Sequence, residues 1–115
     1  TLRLLALAQL YTRMFKLQPC SFIKADRPLG AYIKFLNVIF PVMVICSNDN
    51  IKNLLLLIKA LNLDRLIIIS ESFYPEFKSL DRRVRMAVDC DLLERPLFDA
   101  FLLPDGTRDR AKIFF

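Results

Sequence analysis

Residues 42–70, VMVICSNDNIKNLLLLIKALNLDRLIIIS, decide the fold, because they hold two apolar runs on either side of a helical pattern. The strands predicted there, at 41–46 and 64–70, contain continuous runs rich in β-branched residues, which is typical of strands buried on both faces. Between them, apolar residues recur at helical spacing: Ile51, Leu54, Leu55, Ile58 and Leu61. Asn62 is suited to a left-handed helix end, and the start is capped by one of Ser47, Asn48 or Asp49. The stretch predicts a β-α-β unit with a right-handed crossover.

Upstream of this unit, residues 2–17 place a broad apolar surface at helical spacing, and Pro19 follows them. This pattern predicts an N-terminal helix. The connection after it contains two prolines and a glycine, and a short edge strand is expected at 20–24.

Downstream, Ser72 is expected to cap a short helix with Pro75 near its first turn. A third strand follows at 84–89, then a loop, and then two strands around the Pro-Asp-Gly turn at 104–106. The predicted fold is a single small α/β domain over residues 1–115. Its parts are an N-terminal helix (1–18) and a core (37–115) that contains the β-α-β unit and a C-terminal β-hairpin.

Composition narrows the classes of function. The 115 residues are 55% hydrophobic, which indicates either strands buried on both faces or a surface covered by a partner. The chain has no histidine, so a His-based triad and His metal ligation are excluded. Three cysteines without a Cys-x-x-Cys pair argue against a disulfide framework and a zinc knuckle, and favour an intracellular, reducing compartment.

Membrane insertion is not expected. The longest weakly charged run, at 31–47, contains Lys34, Asn37 and Pro41 and is shorter than the ~20 residues of a spanning helix. No secretory signal is readable in the first residues. The net charge of +5 allows a nucleic acid or an acidic partner, but the basic residues are scattered, which favours a solvated basic face.

Polar residues follow each of the three predicted core strands: Ser47-Asn48-Asp49, Ser70-Glu71-Ser72 and Asp89-Cys90-Asp91. If these strands are parallel neighbours, Asp49, Glu71, Asp89 and Asp91 converge on one crevice at their carboxyl ends. Carboxylates so placed suit Mg²⁺ or Mn²⁺, with Asp89 and Asp91 as the metal ligands. The alternative is that both aspartates only hydrogen-bond the backbone of a turn.

The segment VDCDLLERPLFDAFLLPDG, residues 88–106, resembles the Asp-x-Asp segment of glycosyltransferases with the nucleotide-sugar fold. The resemblance implies that Asp89 and Asp91 help hold a divalent metal on a sugar-nucleotide diphosphate. Asp49 or Glu71 would then serve as helper or base. It also implies a small Rossmann-like sheet. The chain would then be a metal-dependent nucleotide-sugar or phosphoryl transferase, or a fragment of one.

A second resemblance covers residues 38–115, which are similar to thioredoxin-like domains in element order. Pro96 matches the loop proline of that family, and Cys46 matches the first cysteine of its redox pair. Asp49 stands where the resolving cysteine belongs, so the resemblance implies a domain without dithiol exchange. Cys46 itself is either a small core residue or a thiol activated by the following helix.

From these patterns we expect a non-catalytic structural or protein-interaction domain without a cofactor. Its expected partner is another protein, or a second copy, bound through apolar helix faces. We expect the partner to bury the N-terminal helix or the basic C-terminal tail, which contains Arg108, Arg110 and Lys112. Metal-dependent transfer through Asp89 and Asp91 is the alternative, and monothiol chemistry at Cys46 is a third.

Overall fold

The computed structural model describes residues 2–17, 19–25, 29–46 and 49–109. They form a small α/β domain with an N-terminal helix and a mixed sheet of six strands, as the sequence predicts. The elements in chain order are α1 (Leu2–Leu17), β1 (Ser21–Lys24), β2 (Ala31–Phe35), β3 (Val38–Ile45), α2 (Ile51–Leu61), β4 (Leu66–Ser70), a 3₁₀ helix (Pro75–Ser79), β5 (Val84–Val88), α3 (Asp89–Glu94), a second 3₁₀ helix (Leu97–Asp99) and β6 (Phe101–Leu102).

The strands lie in the sheet in the order in which they occur in the chain. β1, β2 and β3 form an antiparallel meander, whereas β3, β4 and β5 are parallel and β6 returns antiparallel on the far edge. The predicted β-α-β unit is confirmed as β3-α2-β4. Because β5 is parallel to β4, Ser70 and Val88 pair at the same end of the sheet.

Each face of the sheet has its own hydrophobic core. On the α1 face, α1 and α3 cover alternate strand residues such as Ile33, Val42 and Ile69. On the α2 face, α2 and the first 3₁₀ helix cover the intervening residues of β3, β4 and β5, such as Met43 and Ile68. Strands covered on both faces explain the continuous apolar runs of the sequence.

α1 packs on its own sheet. Its side chains Leu7, Leu10 and Met14 are buried against β2 and β3. Part of the apolar surface of α1 is therefore used inside the domain, while Leu5 and Phe15 stay exposed. None of the described helices has the length and apolar character required to cross a membrane.

α2 is bounded by two asparagines. The Asn50 side chain accepts a hydrogen bond from the Asn53 backbone at 3.2 Å, and Asn62 ends the helix with φ 47° and ψ 51°. The prediction for Asn62 is confirmed, but the predicted N-cap was wrong. Asp49 does not cap the helix because its carboxylate accepts from the Cys46 backbone N–H at 2.8 Å.

The β2–β3 hairpin was not predicted. Its two-residue turn is Leu36-Asn37, and both residues have positive φ, 51° and 63°. Asn37 is typical of such a turn but Leu36 is not, so the sequence lacks the usual signature of a two-residue hairpin turn. β3 consequently begins at Val38 rather than at Pro41. Pro41 has no backbone N–H to donate, and it precedes Val42, the first residue of β3 that pairs with β4.

Three predictions beyond β4 need correction. Tyr74, not Ser72, precedes the first 3₁₀ helix, and that residue makes no side-chain cap. The expected loop at Asp89-Cys90-Asp91 is the start of α3. The C-terminal hairpin is reduced to the two residues of β6 and a bridge between Leu102 and Arg108, while residues 110–115 lie outside the described residues.

Candidate functional site

A crevice lies on the α1 face, at the carboxyl ends of the parallel strands. After β4 the chain crosses to the α2 face, whereas after β5 it enters α3 on the α1 face. The two connections diverge at neighbouring strand ends, which is where open α/β sheets form ligand crevices.

The crevice has a volume of about 330 Å³. α1 forms one wall, α3 forms the other, and the ends of β3 and β4 form the floor. We call it the α1–α3 crevice, and it is lined by Leu5, Ala6, Gln9, Val44, Ile45, Cys46, Ile69, Ser70, Glu71, Asp89, Leu92 and Leu93.

Only part of the predicted acidic cluster meets there. Glu71 and Asp89 both line the crevice, as parallel strands require. Asp49 does not, and its carboxylate is bound to the backbone of Cys46. Asp91 is bound elsewhere, with its carboxylate oxygens 3.3 Å from Nε of Arg95 and 3.1 Å from Nη1 of Arg108.

Helix geometry separates Asp89 from Asp91. Both lie in the first turn of α3, and residues two apart on a helix point about 200° apart. One carboxylate therefore faces the crevice and the other faces the loop after β6. Among the described residues, no three His, Cys, Asp or Glu side chains approach closely enough to hold a metal ion. The metal assignment of Asp89 and Asp91 stays a prediction, and this geometry gives it little support.

The cysteines occupy three different environments. Cys46 is buried in the crevice floor, and α2 begins only at Ile51, so the thiol does not directly adjoin the helix N-terminus. Cys20 is half-buried, and this burial raises the pKa of its thiol. Cys90 is exposed on α3.

One arginine joins the two walls of the crevice. The guanidinium of Arg13 on α1 donates to the backbone carbonyls of Leu92 and Arg95, at the carboxyl end of α3. A cation at this end of a helix satisfies carbonyls that have no intrahelical partner. The sequence did not reveal this role, because no local pattern connects residues 79 positions apart.

A second surface is apolar and uncovered. On the α2 face, the meander exposes Ile23, Tyr32 and Ile39 to 64%, 37% and 56%, whereas its other face is buried beneath α1. Ile23 pairs with Tyr32, and Ile39 lies diagonally from Tyr32 on β3, so these three exposed side chains form an apolar row. Pro41, which pairs with Tyr32, is buried. We call this surface, with Ile23, Tyr32, Ile39 and Lys34, the open sheet face.

Several basic residues are engaged in ion pairs. Arg85 Nε lies 2.8 Å from Oδ2 of the buried Asp109, and Arg83 Nε lies 3.1 Å from Oδ1 of Asp81. The Arg83 backbone N–H bonds the same carboxylate and lowers the pKa of Asp81. These contacts give Arg83 and Arg85 a structural role.

The chain has no significant match among protein-family models, curated proteins or solved structures. Neither resemblance noted in the sequence, to thioredoxin-like domains or to glycosyltransferases, is tested by a relative. Both stay predictions.

Proposed function

We propose that this chain is a non-catalytic protein-interaction domain and that it docks a partner protein on the open sheet face. The observation that carries the proposal is the unequal cover of the meander. One face of β2 buries Ala31, Ile33 and Phe35, while the other leaves Tyr32 exposed beside the exposed Ile23 and diagonal to the exposed Ile39. Contiguous exposed apolar side chains on a folded domain are typical of interaction surfaces.

The composition of the open sheet face indicates the chemistry of the partner. Lys34 lies beside Ile39 in the register and shares its face, so a positive charge borders the apolar row. Tyr32 supplies an aromatic ring with a polar end, a residue type enriched at interfaces. An apolar surface with acidic residues at its edge would complement both features, and the chain's net charge of +5 would favour the encounter.

Exposed leucines on α2, Leu56 and Leu57, add apolar surface on the same side of the sheet. Their presence agrees with the apolar excess of the sequence, which the domain's own core does not fully bury.

The catalytic alternatives have less support, because Asp91 is bound by two arginines and Cys46 is buried.

Site-specific photocrosslinking tests the proposal. A photoreactive phenylalanine analogue is placed at Ile39, and in a matched chain at Leu93, which is similarly exposed but lies on the α1 face. The crosslinked partner is identified and the complex is rebuilt from the two purified proteins. We expect a saturable complex of fixed stoichiometry that Ile39→Lys weakens at least tenfold and Leu93→Lys leaves intact.

The isolated chain is also crosslinked at several concentrations, since a second copy is the simplest partner. A product at position 39 that grows with concentration would identify self-association. Equal yields at positions 39 and 93, or a rebuilt complex that Ile39→Lys does not affect, would show that the open sheet face is not the docking site.

A further inference from the structure

We propose that the α1–α3 crevice binds a small organic cation with an apolar body, of the arylalkyl amine class. This function is separate from docking at the open sheet face, because the crevice lies on the opposite face of the sheet. Its volume of about 330 Å³ is within the range of about 300–1,000 Å³ typical of small-molecule pockets.

The walls suit an apolar body. The floor and both helices contribute aliphatic side chains, namely Leu5, Ala6, Val44, Ile69, Leu92 and Leu93. Ile69 and Leu92 are buried, whereas Leu5 and Leu93 are exposed, so the crevice is closed at its base and open at its rim. A ring or short alkyl chain would be enclosed on three sides, by α1, α3 and the sheet.

The charged groups of the crevice determine the sign of the ligand. Asp89 and Glu71 line it, and no lysine or arginine does so among the described residues. Asp89 therefore places a negative charge at the crevice of a chain whose net charge is +5. A positively charged head group beside Asp89 would be attracted, and a carboxylate at the same place would be repelled.

Within the part of the chain that the structure describes, the Asp89 carboxylate has no ion pair or hydrogen bond. Asp91, two residues later, has two arginine partners. Asp89 is therefore the α3 carboxylate that lines the crevice and is available to a ligand.

Three probes that share the same apolar body and differ in the charge of the head group test the two parts of the proposal, the apolar cavity and the preference for a cation. They are 4-phenylbutylamine, 4-phenylbutan-1-ol and 4-phenylbutanoate. Each is titrated at pH 7 and low salt into the full chain, and binding is followed by NMR of the Leu, Ile and Val methyl groups. We expect shifts at Leu5, Ile69 and Leu92, with the amine binding about three- to fivefold more tightly than the alcohol, because Asp89 is exposed, and the carboxylate most weakly.

Variants locate the site and its charge. Asp89→Asn should lower the affinity for the amine about three- to fivefold and leave the alcohol unchanged, whereas Glu94→Gln, which changes an exposed carboxylate outside the crevice, should change neither. Ala6→Phe should fill the crevice and abolish all binding while the methyl spectrum still shows a folded chain.

Three results would overturn the proposal. The first is no methyl shift with any probe up to millimolar concentration. The second is equal binding of amine and alcohol. The third is amine binding that persists in Ala6→Phe or moves methyl groups outside the crevice.

Discussion

Arg108 Nη1 lies 3.1 Å from Oδ2 of Asp91, across 17 residues of chain, and so connects α3 with the loop that follows β6. The same guanidinium group donates to the Asp99 carbonyl, and Arg95 approaches the other Asp91 oxygen at 3.3 Å. Asp91 is thus a bridge between two arginines. This arrangement gives the second acidic residue of the Asp-x-Asp segment a structural role.

Asp91→Asn should destabilise the domain by about 1 kcal/mol. Arg95 and Arg108 lose the negative charge of the half-buried carboxylate, while the asparagine amide keeps part of the hydrogen bonding. The measurement is urea unfolding of the variant against the parent chain. Glu94→Gln, on the same helix, is the control and should change the free energy of unfolding by less than about 0.5 kcal/mol.

The same variant tests the metal alternative. We expect no difference in melting temperature with and without Mn²⁺ plus a nucleoside diphosphate, in either the parent or Asp91→Asn. A ligand at ~100 times its Kd would stabilise the native state by about 2.7 kcal/mol, which is several degrees for a domain of this size. A shift in the parent that Asp91→Asn loses would revive the transferase interpretation.

The ion pair between Arg85 and Asp109 is the most buried one among the described residues, with side-chain exposures of 16% and 2%. Arg85→Met should cost about 3 kcal/mol, because it removes the Arg85 guanidinium from the buried Asp109 carboxylate. The double variant Arg85→Met, Asp109→Leu removes both charges and should recover part of this loss in the same unfolding experiment. If the single variant costs under about 1 kcal/mol, the loop after β6 can relax and hydrate the carboxylate.

The hairpin turn offers a stabilising substitution. Leu36 has φ 51° and is half-exposed, so it bears the strain of a left-handed conformation without compensating burial. Leu36→Asn should raise the free energy of unfolding by about 0.5–1 kcal/mol, because asparagine accepts this conformation more readily. Leu36→Val is the opposite control and should destabilise, and equal stability of the two variants would contradict this account of the turn.

The fold was predictable where one segment decides its own conformation. α2 carries five apolar residues at helical spacing and an asparagine stop, and β4 is a run of isoleucines, so both were found. Parallel pairing of β5 could only be assumed, yet it is what places Glu71 and Asp89 together in the crevice. The features that were missed depend on partners distant in sequence or on unusual residues: Arg13 with Leu92, and Leu36 in the hairpin turn.

Asp105 provides a pH-dependent test of a turn. The Thr107 hydroxyl donates to its carboxylate at 2.7 Å and the Thr107 backbone N–H at 2.9 Å, and these bonds lower the pKa of Asp105. A lowered folded-state pKa contributes stability above the unfolded pKa, which is lost as the pH falls through the folded pKa. Thr107→Val should move the pKa of Asp105 upward toward its ordinary value, and Thr107→Ser should not. Carboxyl NMR titration measures both, and a Val variant with an unchanged pKa would assign the effect to the backbone bond alone.

Removing the contact between Arg13 and α3 should loosen the carboxyl end of that helix. Arg13→Met keeps the apolar stem and removes the donors to the Leu92 and Arg95 carbonyls, so the carboxyl end of α3 loses its tie to α1. We expect a loss of about 2 kcal/mol in stability, as for hydrogen bonds to a charged group, and faster hydrogen exchange of the α3 amides. Arg13→Lys retains a charge near the helix end but makes fewer hydrogen bonds, so its stability should fall between those of the parent chain and Arg13→Met.

Because α1 and α3 form opposite walls of the crevice, Arg13→Met should also shift the Leu5 and Leu92 methyl resonances. Exchange rates in α3 that match those of the parent chain would show that packing of Leu92, and not this guanidinium, holds the two walls together.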